Sequence, residues 1–218
     1  MLRVISQNLV SFVFPLSCEL CGHVLPARNR GAVCHSCEGS FSLIEQPWTE
    51  NEHFHFDRVY AACFYEDKIK KLLVTFKFRR RRSLGPSLIR LVERKMAGQD
   101  PSRWDAVVSA PMSLAKKLER GYNQAELLAR GCAGFLQKPF LGNVLTLTGT
   151  PRQQSKLSKS QRRENVHHLF QAKGDFSGKK LLLVDDVLTT GETASECSRA
   201  LKEAGAKIVD VLVVARGR

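Results

Sequence analysis

The chain has 218 residues, enough for one full domain and a small additional module. Its apolar content of 43% suits a globular protein with a real core, and no apolar run approaches the roughly 18 residues of a membrane span. A formal charge of +13 and a pI near 9.7 favour polyanionic partners, nucleic acid or phosphorylated substrates, without choosing between them.

The opening stretch, MLRVISQNLVSFVFPLSC, is a poor export signal, because Ser6-Gln7-Asn8 interrupts its apolar run and Pro15 sits close before Cys18. A cytoplasmic protein is expected. Seven cysteines, an odd number without an export signal, point to a metal site plus leftover thiols rather than a disulfide framework. Cys18-Glu-Leu-Cys21 and Cys34-His-Ser-Cys37 are two CxxC pairs with 12 residues between them. Each pair places two thiolates on one turn, and two such knuckles complete a tetrahedral four-sulfur set for a structural zinc. A redox CxxC would need a strand-to-helix junction, which neither pair has. His23 and His35 read as ordinary polar neighbours. Residues 1–45 are therefore expected to form the zinc module and its lead-in, and 56–218 a second domain. Segment 38–55, with little periodicity, reads as the linker.

Asp57 to Tyr65 predicts a strand, with Cys63 as a small buried hydrophobe. Glu66 to Phe76 predicts a helix with Ile69, Leu72, Leu73 and Phe76 on one face. Then comes Lys77-Phe78-Arg79-Arg80-Arg81-Arg82. Such a run is either a solvated loop or, since Phe76 and Phe78 interleave with the cations, a surface for single-stranded nucleic acid. A helix follows from about Ser87 to Met96. Trp104 to Pro111 reads as a buried strand ending in a loop, and Leu114, Leu118, Leu127 and Leu128 give helical spacing interrupted at Gly121. Lys116, Lys117 and Arg120 crowd the loop after that strand. Arg120 is the better candidate for an anion, the two lysines reading equally as a solvated helix face. Cys132 reads as core. Asn143 to Leu147 and His168 to Phe170 are short strands, and between them Thr150 to Arg163 is a long cationic connection suited to a flap over a polyphosphate.

The richest stretch is Leu181 to Thr193, LLLVDDVLTTGET. Leu181 to Val184 is the apolar run of a buried parallel strand. Asp185 and Asp186 stand where that strand should end, followed by the turn Thr189-Thr190-Gly191 and a helix from about Glu192. Ligands in open parallel sheets bind beyond the carboxyl ends of the strands. A Thr–Gly turn entering a helix offers unpaired N–H groups, hydroxyls and the positive end of the dipole, which is a phosphate cradle. Ionised carboxylates accept hydrogen bonds from sugar hydroxyls. The stretch reads as a sugar-phosphate binder. From Thr193 the helix carries Ala194, Cys197, Leu201 and Ala204 inward and Gly205 stops it, leaving Cys197 in the core; Ile208 to Val214 closes the chain as a strand.

LLLVDDVLTTGET resembles the phosphoribosyl-pyrophosphate (PRPP) motif of type I phosphoribosyltransferases, departing from it at Glu192, where that pattern often has a small or apolar residue. Ser17-Cys-Glu-Leu-Cys-Gly22 with its second CxxC, Arg120-Gly-Tyr-Asn-Gln124, and Gln154-Ser-Lys-Leu-Ser158 with Arg163-Glu-Asn-Val166 resemble the competence-protein ComF family. These motifs cover nearly the whole chain, in the family's order. The resemblance implies an α/β fold, a type I phosphoribosyltransferase-like parallel sheet flanked by helices, with a small N-terminal zinc module of four cysteines. It implies that Asp185 and Asp186 hold the ribose hydroxyls of PRPP and that Thr189, Thr190, Gly191 and Thr193 hold its 5-phosphate. Ser109 and Ala110, with Pro111, would form the pyrophosphate loop, Ala110 replacing a commonly apolar residue there. Stabilising the leaving pyrophosphate would fall to Arg120, Lys156 or Arg152, and to magnesium carried with PRPP. The family's link to DNA uptake in natural transformation implies single-stranded DNA and other competence proteins as partners. Two functions stand side by side: phosphoribosyl transfer to an acceptor, or non-catalytic binding of single-stranded DNA through Phe76, Phe78, Arg79, Arg80, Arg81 and Arg82.

Overall fold

The computed structural model describes residues 16–26, 29, 31–49, 53–148 and 169–218. In chain order the described elements are α1 (His35–Gly39), β1 (Trp48–Thr49), β2 (Arg58–Phe64), α2 (Asp67–Phe78), α3 (Gly85–Met96), β3 (Ala106–Ser109), α4 (Leu114–Arg120), α5 (Gln124–Leu136), β4 (Phe140–Leu141), β5 (Leu145–Leu147), β6 (Phe170–Ala172), β7 (Lys180–Leu188), α6 (Glu192–Glu203) and β8 (Ile208–Arg216). Six strands form one sheet in the order β1-β2-β8-β7-β3-β4, parallel throughout except for the antiparallel edge strand β1. β5 and β6 make a separate antiparallel pair. Among the described residues no helix is long and apolar enough to cross a membrane.

β7 and β8 occupy the centre because they are apolar on both faces, as a parallel strand covered by helices must be. Leu181, Leu182, Leu183 and Val184 are buried, as are Val211, Leu212, Val213 and Val214. On one face α2, α3 and α5 pack, bringing Leu72, Leu73, Phe76, Leu88, Leu128 and Trp104 into one core. On the other, α6 and the β5–β6 pair cover Leu181, Leu183, Val211 and Val213. Cys63, Cys132 and Cys197 are all buried.

Three expectations differ from the structure. β7 does not end at the aspartate pair but runs past it to Leu188, since β8 supplies a partner as far as Leu188↔Arg216. α2 continues to Phe78, so Lys77 and Phe78 belong to a helix rather than to a loop. Segment 38–55 does not read as a free linker: Ile44 N–H donates to Ala62 O, Trp48–Thr49 pairs with β2, and Trp48, Phe54 and Phe56 pack together, Phe54 and Phe56 stacked at 4.8 Å.

The cysteine-bearing segment docks on α2 and α3 rather than standing apart. Cys18, Leu25, Ala32 and Val33 join the same core as those helices. Glu38 pairs with Arg90 and its carbonyl accepts from Arg94, while Lys95 donates to the carbonyls of Ile44 and Glu45. Gly31 lies so close to α3 that a Cβ there would stand 2.2 Å from Ser87 Oγ.

Under the sheet, the fully buried Asp210 of β8 accepts both from the Arg103 guanidinium and, at 2.9 Å, from Trp104 Nε1. Removing one partner of a buried pair leaves an uncompensated charge. Arg103→Met is expected to destabilise the fold by about 2–4 kcal/mol, read as a drop of roughly 5–15 °C in Tm, whereas Asp210→Asn in the same background restores part of the loss.

Candidate functional site

The parallel strands place their carboxyl ends on one edge, and the residues singled out above gather there. β7 sets the position of the aspartates. Successive strand residues face opposite ways, so Asp186 turns toward α2 while Asp185 turns toward α6. Asp186 is 7% exposed and its Oδ1 meets Lys77 Nζ at 2.7 Å. Asp185 Oδ1 accepts from the Asp186 N–H at 2.8 Å. Burial first, and then the charge of Asp186, raises the Asp185 carboxyl to about 7, with Lys77 and Lys116 working the other way. Its charge also adds to the burial that pushes the Cys197 thiol upward.

After β7, Thr189 and Thr190 are exposed and Gly191 adopts φ +80 before α6. No side chain caps α6, so its first N–H groups remain open to an anion on the helix axis. Thr193 lies exposed in that first turn. Gly191 is required twice over: by its positive φ, and by Phe54, whose ring would stand 2.9 Å from a Cβ. The neighbouring His55 N–H donates to Ser195 Oγ of α6, so segment 53–56 braces the cradle from outside.

On the other side, β3 delivers Ser109 and Ala110. Ala110 N–H donates to Val184 O at 2.9 Å, and Asn123 Nδ2 donates to Ala110 O at 3.0 Å, which pins the loop to both β7 and the start of α5. Arg120 closes α4; Gly121 ends that helix in the left-handed conformation. The Arg120 guanidinium lies 5.0 Å from the centre of the Phe78 ring and donates to Gln124 Oε1. Arg120 Nε is a buried donor without a hydrogen-bond partner among the described residues. Tyr122 donates to Phe76 O, and its hydroxyl is shifted upward by burial against the pull of Arg82 and Arg120. The second catalytic candidate, Lys156, lies outside the described residues, as do Arg152, Arg163 and the rest of the cationic flap.

Of the basic run and its two aromatic rings, only Phe76 is withdrawn from the surface. Phe76 is fully buried in the core beside Tyr122, so it cannot stack on a base; its place on the apolar face of α2 outweighs its place in the run. Arg80 donates twice to Glu119 O, Arg81 pairs with Glu19 at 2.7 Å, and Arg82 lies over the Tyr122 ring at 5.2 Å. Phe78, 61% exposed, and Arg79 to Arg82 all remain on the surface, the last three with those partners.

Cys18, Cys21, Cys34 and Cys37 bring their four sulfurs within 4.8 Å of one another, and Cys21 Sγ lies 3.7 Å from Cys34 Sγ. Tetrahedral zinc with bonds near 2.3 Å separates its sulfurs by about 3.8 Å, so the set fits the ion. Cys34 N–H donates to Cys18 Sγ and Cys37 N–H to Cys34 Sγ, the hydrogen bonds that thiolates need. Burial opposes ionisation of Cys18, yet the N–H groups of Cys21, Cys34 and Leu20 lower its thiol to about 6.

Sequence reasoning missed Lys77, Gln124 and Phe54 as parts of this site. The helical period of α2, continued one residue, carried the only available signal for Lys77; nothing local signalled Phe54.

Residues 118–218 match the model of the phosphoribosyl transferase domain. Competence protein F of Haemophilus influenzae is 30% identical over 170 residues, covering 74% of this chain and 73% of that protein. The chain belongs to the competence protein F family. Other relatives are the DNA utilization protein YhgH of Escherichia coli O157:H7, 29% identical over 91% of this chain and 83% of that one, and competence protein ComFC of Bacillus subtilis, 29% identical over 86% and 75%. The parallel sheet flanked by helices is accordingly a phosphoribosyltransferase-type fold, with a cysteine cluster ahead of it.

Two outcomes follow from the electrostatics and the cysteine set. A carboxyl held above its ordinary value makes the folded state bind more protons than the unfolded chain, so stability falls as pH rises from about 4 to about 7. Asp185→Asn should therefore raise thermal stability at pH 8, by about 1–2 kcal/mol after allowance for solvent screening, less at pH 5, and change it little below about pH 4. Because Cys18 and Val33 share the main core, Cys34→Ser, or chelation of a metal bound by the four cysteines, should lower the Tm of the whole chain by more than about 5 °C rather than unfold the N-terminal segment alone; a thermal melt with metal analysis of the same sample checks this.

Proposed function

We propose that this protein binds PRPP at the carboxyl edge of its sheet and carries out phosphoribosyltransferase-type chemistry in the handling of DNA during competence. The observation that carries the reading is the convergence of three parts. They are the carboxylates of Asp185 and Asp186, the uncapped helix start behind Thr189, Thr190, Gly191 and Thr193, and the pinned Ser109–Ala110 loop. The 5-phosphate sits on the cradle, the ribose hydroxyls meet the carboxylates across the end of β7, and the pyrophosphate lies toward Ser109, Ala110 and Arg120. The unpartnered Nε of Arg120 supports an anion there. Magnesium carried with PRPP would supply charge neutralisation for the leaving group.

In the transfer the C1–O bond breaks, the pyrophosphate leaves with the electron pair, and a nucleophile on the acceptor forms the new bond to C1. Nothing in this scheme requires a nucleophile from the protein. Its residues act by orientation and electrostatics. The names of the relatives, competence protein and DNA utilization protein, support DNA as the setting.

A nucleic-acid surface is the second component, and it leaves out the buried Phe76. Phe78 and Arg79 are exposed at the end of α2, beside α4 with its exposed Lys116 and Lys117. A stacking ring next to cations suits single-stranded DNA.

Calorimetric titration of the zinc-loaded protein with PRPP and magnesium tests the first component. Micromolar binding is expected, lost by about a hundredfold in Asp185→Asn/Asp186→Asn, two lost charged hydrogen bonds being worth roughly 3 kcal/mol. Absence of binding by the folded wild type overturns the reading. For the second component, Arg79→Glu should weaken binding of an oligothymidylate and reduce its salt slope by about 0.7. Asp185→Asn should leave that binding unchanged.

A further inference from the structure

We infer, on the PRPP reading above, that Lys77 is a positioning residue of the carboxyl-edge site, acting through Asp186. Two adjacent carboxylates are treated unequally here. Asp185 accepts from the neighbouring backbone N–H, whereas Asp186, nearly buried, receives the ammonium of a residue from α2, far earlier in the chain. The side chains of that pair are 21% and 10% exposed, so the contact is screened far less than a surface ion pair.

Lys77 reaches Asp186 because its helix is locked. Ile69, Leu72, Leu73 and Phe76 bury one face of α2, and the Phe76 carbonyl accepts from Tyr122, which also carries Arg82 over its ring. The C-terminal turn of α2 therefore cannot drift, and the lysine stem leaves it toward the end of β7. The ammonium holds Oδ1. A carboxylate has two oxygens and about four acceptor positions, so Oδ2 is left to accept a sugar hydroxyl in a fixed direction. Without Lys77, two neighbouring carboxylates would share a buried edge with the cation bonded to one of them removed, an arrangement that favours protonation or rotation of one of them. Lys77 thus keeps Asp186 aimed, and touches the substrate's diol only through that carboxylate.

The competing assignment is a lysine that leaves Asp186 on substrate binding and contacts pyrophosphate itself. Ribose 5-phosphate distinguishes the two, because it carries the diol and the 5-phosphate but no pyrophosphate. Affinities of the zinc-loaded full chain for magnesium PRPP and for ribose 5-phosphate are measured in wild type, Lys77→Met and Lys77→Arg, with Tm and zinc content recorded for each. Lys77→Met is expected to weaken both ligands by the same factor, about tenfold or more, and Lys77→Arg to recover most of that loss. Equal PRPP affinity in wild type and Lys77→Met overturns the inference while leaving the PRPP site standing. Loss confined to PRPP overturns it in favour of direct pyrophosphate contact. A folded wild type that binds no PRPP removes the underlying reading and this inference with it. Should Lys77→Met fail to fold, failure of the folded Lys77→Arg to retain affinity for both ligands within a few-fold serves as the overturning result.

Discussion

The structure depends on one constraint: a parallel sheet puts every carboxyl end on the same edge, and β7 and β8 hold that edge rigid. These two strands pair in register from Lys180↔Ile208 to Leu188↔Arg216, and β3 pairs on the other side of β7 from Ala106↔Leu181 to Ser109↔Val184. Both faces of Leu181 to Val184 are covered, so a slip of one residue would place a carboxylate in the apolar core. The aspartates can therefore occupy only one height in the molecule. That height is level with the end of β3 and just below the start of α6. The site follows from where the ladder stops.

A second layer of organisation uses positive charge as structure. The corner between α2 and α3 ties down its surroundings with long cationic side chains. Arg80 reaches α4, Arg81 reaches Glu19 next to the first cysteine, Arg82 covers Tyr122, Arg90 and Arg94 hold Glu38, and Lys95 takes two carbonyls from the segment before β1. Arginine suits this work because its fork satisfies carbonyls and carboxylates while its stem covers apolar surface. A charge of +13 is thus only partly an attraction for polyanions; some of it fastens the cysteine module to the domain. The module, sharing its core with α2 and α3, and the carboxyl edge are linked through the same helix, since α2 carries both Lys77 and the turn before Arg81.

Much of this was legible in the sequence. The four-residue apolar run, the Thr–Gly turn and the helix after it stand in the order in which the structure has them, and the two CxxC pairs bring their sulfurs together as their spacing implied. What was not legible depends on tertiary partners. The end of β7 is set by how far β8 extends, which no local pattern states. Phe76 belongs at once to a cationic run and to an apolar helical face, and burial of a large ring decides for the face. Trp48, Phe54 and Phe56 belong to no period, and they find their place by packing against one another and, for Phe54, against Gly191. Lys77 was visible only as the first cation of a run, and its meaning lies in the 2.7 Å contact across the fold.

The two aspartates illustrate why such partners matter to a site built for a polyanion. The proposed substrate carries phosphate at both ends, and two bare carboxylates beneath its sugar would oppose its approach; like charges about 5 Å apart in a partly buried setting repel by several kcal/mol. The structure tempers that repulsion differently for each group. Asp186 has a lysine of opposite charge, so the pair presents no net charge to the cleft while keeping an acceptor oxygen. For Asp185, burial holds the carboxyl near 7, where it can shed or keep a proton at small cost. The uncapped start of α6 and Arg120 lie to either side, so in the proposed binding mode negative charge would be received at the flanks and tolerated in the middle. Hydrogen-bond acceptors for the sugar and electrostatic acceptance of its phosphates then coexist in one cleft, which neither an acidic nor a basic pocket alone would allow.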